Sequence, residues 1–276
     1  MASKRSKMKL RVDYDQQYRG KRLKLRGKEL SELPLEIFSL VELEILDLSP
    51  ERQACLNFRL HEVPSQISRL VNLRVLCLDT NELTEIIPEV CSLRNLERLA
   101  ISNNLLTSLP QEFTQLQNLR SLHMANNYFE SLPLEVCNLE NLEFLDVSDN
   151  KIASIPEEIG FLTQLITLNL LYNSLERLPD GICKCTTLRS LWLGKNKLRS
   201  LPRDFGNLAL LDWGEYFNSS NMEGNPLVRP PIEIVRRGPD HIANYFQVND
   251  ETDSWDEEED EDNGSSESLS LSNGTF

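Results

Sequence analysis

Groups able to do chemistry are few in this chain of 276 residues. The three histidines, His61, His123 and His241, share no metal-binding spacing with one another. No glycine-rich phosphate loop and no G-x-S-x-G nucleophile elbow occurs. The nearest approach to a metal motif is Cys183-Lys184-Cys185, yet Cys185 stands where a repeating pattern has leucine and reads as a core thiol. Cys91, Cys137 and Cys183 recur at intervals of 46 residues. If the pattern stacks as strands about 4.8 Å apart, two units lie about 10 Å apart, beyond the reach of a disulfide. All six cysteines are therefore expected to be reduced and structural. No catalytic residue, metal ligand or cofactor is expected, and binding is the better reading.

The pattern behind those cysteines is the dominant signal. Leu23, Leu46, Leu76, Leu99, Leu122, Leu145, Leu168 and Leu191 follow one another at 23, 30 and then a constant 23 residues. Two residues on stand Leu25, Leu48, Leu78, Ile101, Met124, Val147, Leu170 and Leu193. Three further on stand Asn81, Asn104, Asn127, Asn150, Asn173 and Asn196, and Pro34, Pro64, Pro110, Pro133, Pro156, Pro179 and Pro202 repeat in step. A fixed period of this length means a stack of like units.

One unit, 119–141, shows the physics. Its L-x-x-L-x-M stretch has period two and predicts a short strand with Leu122 and Met124 inward. Ser121, His123 and Ala125 then face outward. Asn127 falls where the chain turns, and an amide there can bond backbone groups that have left the strand ladder. The six asparagines are thus expected to form a structural ladder. After Leu132-Pro133, apolar residues at Val136, Leu139 and Leu142 are spaced for a short 3₁₀ or α turn. One unit cannot bury its leucines alone, but stacked units can.

These columns resemble leucine-rich repeats, in particular the 23-residue intracellular class of Ras suppressor protein, the Scribble and Erbin group and plant intracellular Ras-group proteins. The resemblance covers roughly residues 23–246. It implies an α/β solenoid of about nine repeats, with a curved parallel sheet on the concave side and short helical or 3₁₀ segments on the convex side. It also implies a protein-binding scaffold in signal transduction, near small GTPases or phosphatases.

The expected organisation is a basic extension and cap over 1–20, repeats over 21–231, a helical cap over 232–248 and an acidic, serine-rich, disordered tail over 249–276. Tyr14 and Tyr18 are expected to help close the amino end. At the other end Gly238 should stop one helix and Pro239 start another, with Ile242, Tyr245 and Phe246 packed on the last repeat. Insertions over 49–59 and 212–223 break the period, and the second brings Trp213, Tyr216 and Phe217. Each is read either as a functional loop or as a reshaped repeat.

Side chains on the outer face of the sheet are the candidate site. Phe144, Leu171 and Trp192 fall on neighbouring strands, with Asp146, Asn169, Tyr172 and His123 beside them. Aromatic groups next to polar ones are the chemistry of a binding hot spot. The other reading is that Phe144 and Trp192 lie flat on their neighbours or under the Trp213–Phe217 insertion.

Charge is uneven. Residues 1–28 carry eleven Lys/Arg against two Asp/Glu, whereas 249–276 carry eleven acids and no base, within a net charge of −14. Such acidity argues against duplex nucleic acid as a partner. No run of 18 apolar residues spans a membrane, and the start lacks the apolar core of a secretory signal. The cytoplasm is the expected compartment, with the nucleus as the other, and a monomer is expected. Ser254, Ser265 and Ser266 lie among acids and resemble acidophilic-kinase sites. Two other functions stay open: an acidic-tailed nuclear protein that binds histones or other basic partners, and an adaptor that recruits a phosphatase or ligase.

Overall fold

The structure is a computed structural model and describes residues 10–25, 33–50, 59–213 and 220–249. The expected basic start, the middle of each insertion and the acidic tail with Ser254, Ser265 and Ser266 lie outside them.

Ten strands form one sheet in sequence order: β1 Val12–Asp15, β2 Gly20–Lys24, β3 Ile45–Asp47, β4 Val75–Cys77, β5 Arg98–Ala100, β6 Ser121–His123, β7 Phe144–Asp146, β8 Thr167–Asn169, β9 Ser190–Trp192 and β10 Ser220–Asn221. β1 pairs antiparallel with β2, and every later pair is parallel. Register follows the leucine column, with Leu122 opposite Leu99 and Leu145. This is the nine-unit parallel solenoid that the period predicts.

Each unit returns on the far side through one short turn of helix. Five-residue 3₁₀ pieces at Leu35–Ser39, Ser65–Arg69, Gln111–Gln115, Glu157–Phe161, Asp180–Lys184 and Arg203–Asn207 each follow a proline at the N-cap. That proline sits in extended φ/ψ, so the chain enters the turn with φ already set and no donor lost. Two units use α-helical turns instead, α1 Pro88–Cys91 and α2 Leu134–Cys137. In α1 the proline lies one place later in the sequence and becomes the first helical residue.

Between strand and helix lies a single apolar layer. Leu122, Met124, Phe129, Val136, Leu139 and Leu142 of one unit are all fully buried. Phe38, Phe113, Phe129 and Phe205 are the largest side chains within it. Cys91, Cys137, Cys183 and Cys185 belong to the same layer, and burial pushes each thiol up to about 12.

Asparagine joins unit to unit. The Asn127 amide donates to the carbonyls of Ile101 in the previous unit and of Met124 and Ala125 in its own, at 3.0–3.3 Å. Its Oδ1 accepts from Leu106 N–H at 3.1 Å. Asn81, Asn104, Asn150, Asn173, Asn196 and Asn225 make the same kinds of bond. The residue just before each of these asparagines has positive φ, from Thr80 at 62° through Asn126 at 52° and Tyr172 at 55° to Lys195 at 58° and Gly224 at 79°. This left-handed step aims the following amide inward, and the stepping residue gives its own N–H to the next unit, as Asn126 does to the Ser148 carbonyl.

A second asparagine column, Asn72, Asn95, Asn118 and Asn141, lies before the strands. Each amide donates to a carbonyl one unit back: Val41, Val71, Arg94 and Gln117. Beside it a column alternates in charge: Lys21, Glu44, Arg74, Glu97, Arg120 and Glu143. Arg74 is bidentate to Glu97 at 2.8–2.9 Å, and Arg120 donates to Glu143. Ile166 interrupts this column.

The ends are closed differently from one another. The β1–β2 hairpin covers the first repeat, with Leu10 and Val12 packed against the core. Tyr14 is 60% exposed and does not close that end: it lies on the same side of β1 as Val12, but Val12 pairs with the buried Leu23 and Tyr14 with the exposed Lys21. At the other end α3 Ile232–Val235 runs to Gly238 at φ 93°, and α4 covers 239–249. Ile242 and Phe246 of α4 are buried. Gly206 admits the backbone and Cβ of Ala243 so closely that a methyl on Gly206 would lie 2.5 Å from the Ala243 Cβ.

Asn127→Ala would leave the Leu106 N–H and three carbonyls without their buried partner. The expected cost is about 2–4 kcal/mol, seen as a lower urea midpoint at unchanged m-value.

Candidate functional site

Outward residues of the strands form three neighbouring columns across the concave face. The column led by Arg22 continues through Ile45, Val75, Arg98, Ser121, Phe144, Thr167 and Ser190. The second runs from Lys24 through Asp47, Cys77, Ala100, His123, Asp146, Asn169 and Trp192 to Asn221. The third, just past the strands, includes Ser148, Leu171 and Gly194.

The face is not uniformly open. Ile45 and Val75 are each 3% exposed, Ala100 2% and Asp47 6%, although alternation alone gives them to solvent. Asp47 is held by Arg22 and Lys24, and Arg22 also holds Asp15. From β6 onward the outward strand positions are partly open, while Ser220 takes the inward place opposite Leu191 and is buried. The accessible surface is therefore the carboxyl-terminal half of the face.

Phe144 and His123 stack there, with ring centroids 4.5 Å apart and an interplanar angle of 30°. They are diagonal neighbours across β6 and β7, since Ser121 pairs with Phe144 and His123 with Asp146. The His123 Nε2 lies 2.9 Å from the Ser121 hydroxyl, which in turn receives Arg98 Nη1 at 3.2 Å. Burial first, and then the Arg98 charge, lowers the His123 pKa to about 4. A neutral ring with Nε2 accepting the Ser121 proton satisfies both groups. The imidazole is thus part of a flat π surface with no charge near neutrality.

Asp146 and Asn169 spend one oxygen each on the backbone. Asp146 Oδ1 accepts from Ser148 N–H at 3.0 Å and from its hydroxyl at 2.7 Å. Asn169 Oδ1 accepts from Leu171 N–H at 3.1 Å. The bonds hold the chain as it leaves each strand, and the NH₂ of Asn169 has no partner among the described residues. Gly194 makes room for Leu171, whose Cδ2 would sit 3.0 Å from any Cβ there. Leu171 consequently lies over the neighbouring unit.

Phe144, Leu171 and Trp192 are half-buried, which is less open than alternation suggests, because they lean on their neighbours. Tyr172 is 54% exposed and holds φ 55°. The structure brings His123, Phe144, Asp146, Asn169, Leu171 and Trp192 onto adjacent strands of one surface. Of the aromatic insertion only Trp213 is described, and it packs by Gly238 at the end cap.

Among the described residues no group of three His, Cys, Asp or Glu could hold a metal ion, and no helix is long and apolar enough to cross a membrane. Cys77 is the one partly open thiol among the described residues. Burial, with Asp47 and Asp79 nearby, raises it to about 12 and keeps it a thiol.

Because His123 is neutral when folded down to about pH 4 and protonates near 6.5 when unfolded, the unfolded chain binds more protons in between. Stability attributable to it therefore rises with pH across that window. His123→Phe, which keeps the stack, should flatten the rise of the urea midpoint between pH 4 and 6.5. An equal slope in the variant assigns the dependence to other groups.

Comparison with known proteins agrees with the geometry. Family models for a leucine-rich repeat region and a leucine rich repeat match residues 108–212 and 71–129. Among curated proteins no sequence matches significantly. A leucine-rich repeat protein of Leptospira interrogans is similar at 32% identity and TM-score 0.66, over 78% of this chain and 57% of that one. The ectodomain of the plant membrane receptor kinase GASSHO1/SCHENGEN3 of Arabidopsis thaliana, solved with Casparian strip integrity factor 2, is similar at 30% identity and TM-score 0.60, over 71% of this chain and 23% of that one. An internalin of Listeria monocytogenes shares the fold at 24% identity and TM-score 0.60, over 75% of this chain and 55% of that one. The chain thus spans less than two thirds of each of these proteins. Leucine-rich repeat domains generally mediate protein–protein interaction. With nine parallel strand units in register and a leucine at the same inward place in the first eight, the chain is a leucine-rich repeat protein.

Proposed function

We propose that the chain is a non-enzymatic intracellular scaffold of the 23-residue repeat class, which binds a protein partner on the open half of its concave face. The observation that carries this is the half-buried apolar band of Phe144, Leu171 and Trp192, interleaved with Asp146, Asn169 and a neutral His123. Aromatic groups already ordered by their neighbours lose little entropy on binding, and adjacent polar groups give direction. Signal transduction is the setting that the resemblance to intracellular repeats suggests.

Phe144→Ala with Trp192→Ala should remove the bound partner in affinity capture followed by mass spectrometry, while the melting temperature stays within about 5 °C. Leu134→Ala with Phe161→Ala, on the helical side, should leave capture intact. If the concave double variant captures the same proteins as the native chain, the concave reading is wrong.

Tyr172 gives a separate check. Every unit makes the positive-φ step before its buried asparagine, and at Tyr172 a bulky exposed tyrosine beside the apolar band takes it where two other units use asparagine. Tyr172→Asn should stabilise the fold by about 0.5–1 kcal/mol, since asparagine visits this conformation readily, and should weaken capture. A variant that is more stable and binds equally well removes Tyr172 from the site.

A further inference from the structure

Where each unit climbs away from its strand, three alternate side chains point outward. In the unit of β9 these are Lys195, Lys197 and Arg199, all exposed. The equivalent trios are Thr80, Glu82 and Thr84; Asn103, Leu105 and Thr107; Asn126, Tyr128 and Glu130; Asp149, Lys151 and Ala153; and Tyr172, Ser174 and Glu176. No other of these units carries more than one cation there. Before the strands Arg74 is paired with Glu97 and Arg120 with Glu143, and Arg236 near the end cap is paired with Glu223. Lys195, Lys197 and Arg199 have no ion-pair partner among the described residues. Glu176 shares a hollow with Lys197, Arg199 and Pro226, and is the acid on that surface. Three unpaired cations on a chain of net charge −14 form a local positive strip.

We propose that this strip is the docking site of the chain's own acidic run, Asp256–Asp262. That run is seven consecutive carboxylates, DEEEDED, and it begins seven residues after the end of α4. Charge complementarity is the first support. Reach is the second. Arg199 and Gly206 are seven residues apart, hence within roughly 25 Å, and Gly206 touches Ala243 of α4. From residue 249 the run lies seven to thirteen residues on, which spans roughly 25–45 Å when extended. The helix from which the acidic segment departs therefore packs on the same unit that bears the strip. Tethering makes the contact intramolecular, so individually weak pairs add under a high effective concentration. The docking does not depend on what occupies the concave face.

The test uses the full chain and a carbodiimide, which joins a carboxylate to an amine only where the two touch. In the monomer band, cross-linked peptides should join 256–262 to Lys195 or Lys197, and should disappear in 0.5 M salt as exposed pairs are screened, the Debye length falling to a few ångströms, about. The triple variant Lys195→Ser, Lys197→Ser, Arg199→Ser alters only exposed side chains and should keep the native melting temperature. In it a glutamyl-specific protease should cut the acidic run about threefold faster or more at low salt, and no faster at 0.5 M. Cross-links spread over Lys21, Lys24 and Lys151, or directed to the basic residues before 10, overturn the proposal. So do cross-links confined to a dimer band, and so does an unchanged cleavage rate in the triple variant.

Discussion

One buried amide per unit holds this molecule in register. A strand of three residues cannot fix its own pairing, and a layer of leucines is indifferent to small slips along the stack. The asparagine carboxamide is not indifferent. It must donate to carbonyls of two units and accept from the N–H of one, and a slip leaves all of them unsatisfied in a dry interior. The left-handed residue before it and the short strand both serve that geometry. Curvature and the spacing of outward side chains follow, because every unit repeats the same three constraints. The concave surface is thus a consequence of how amides are satisfied inside.

The candidate surface inherits its order from the same source. Asp146 and Asn169 use one oxygen each to shape the exit from the strand, so their remaining polar atoms are held at defined positions. Phe144 is held by stacking on His123, and Leu171 by the space over Gly194. Positions fixed by covalent repetition and local bonds need little reorganisation when a partner arrives. The polar parts of the site belong to the fold and to recognition at once. Asp146 in particular has a structural bond that its residue type and place alone do not reveal.

Much of this was legible in the residues. The inward leucines, the asparagine column and the prolines are periodic, and periodic signals survive because each copy repeats the same burial. The alternating Lys21–Glu143 column and the amides of Asn72, Asn95, Asn118 and Asn141 were written at the same period. They escaped notice because charged and amide side chains before a strand look like ordinary surface. Burial of Ile45, Val75 and Ala100 could not be read, since alternation tells which side a residue faces and not what stands above it. Tyr14 misled for the reverse reason: an aromatic near an end suggests a cap, but this one pairs with the exposed Lys21 and not with a leucine. The strip Lys195–Arg199 becomes visible only when neighbouring units are compared place by place.

Ile166 has a meaning beyond its apolar exposure. A stack that couples only nearest neighbours behaves as a one-dimensional chain of links, and its weakest link divides it. On the strand-entry side, ionic links run between adjacent units from Arg74 to Glu97 and from Arg120 to Glu143, and the isoleucine supplies none to its neighbours. The second asparagine column also ends at Asn141, with Gln164 and Thr187 in its later places. Thr187 bonds two earlier carbonyls and restores the link one unit on. The junction between the units of β7 and β8 therefore lacks two side-chain links made earlier in the stack, and the strand ladder and the Asn173 amide hold it beneath the centre of the aromatic band.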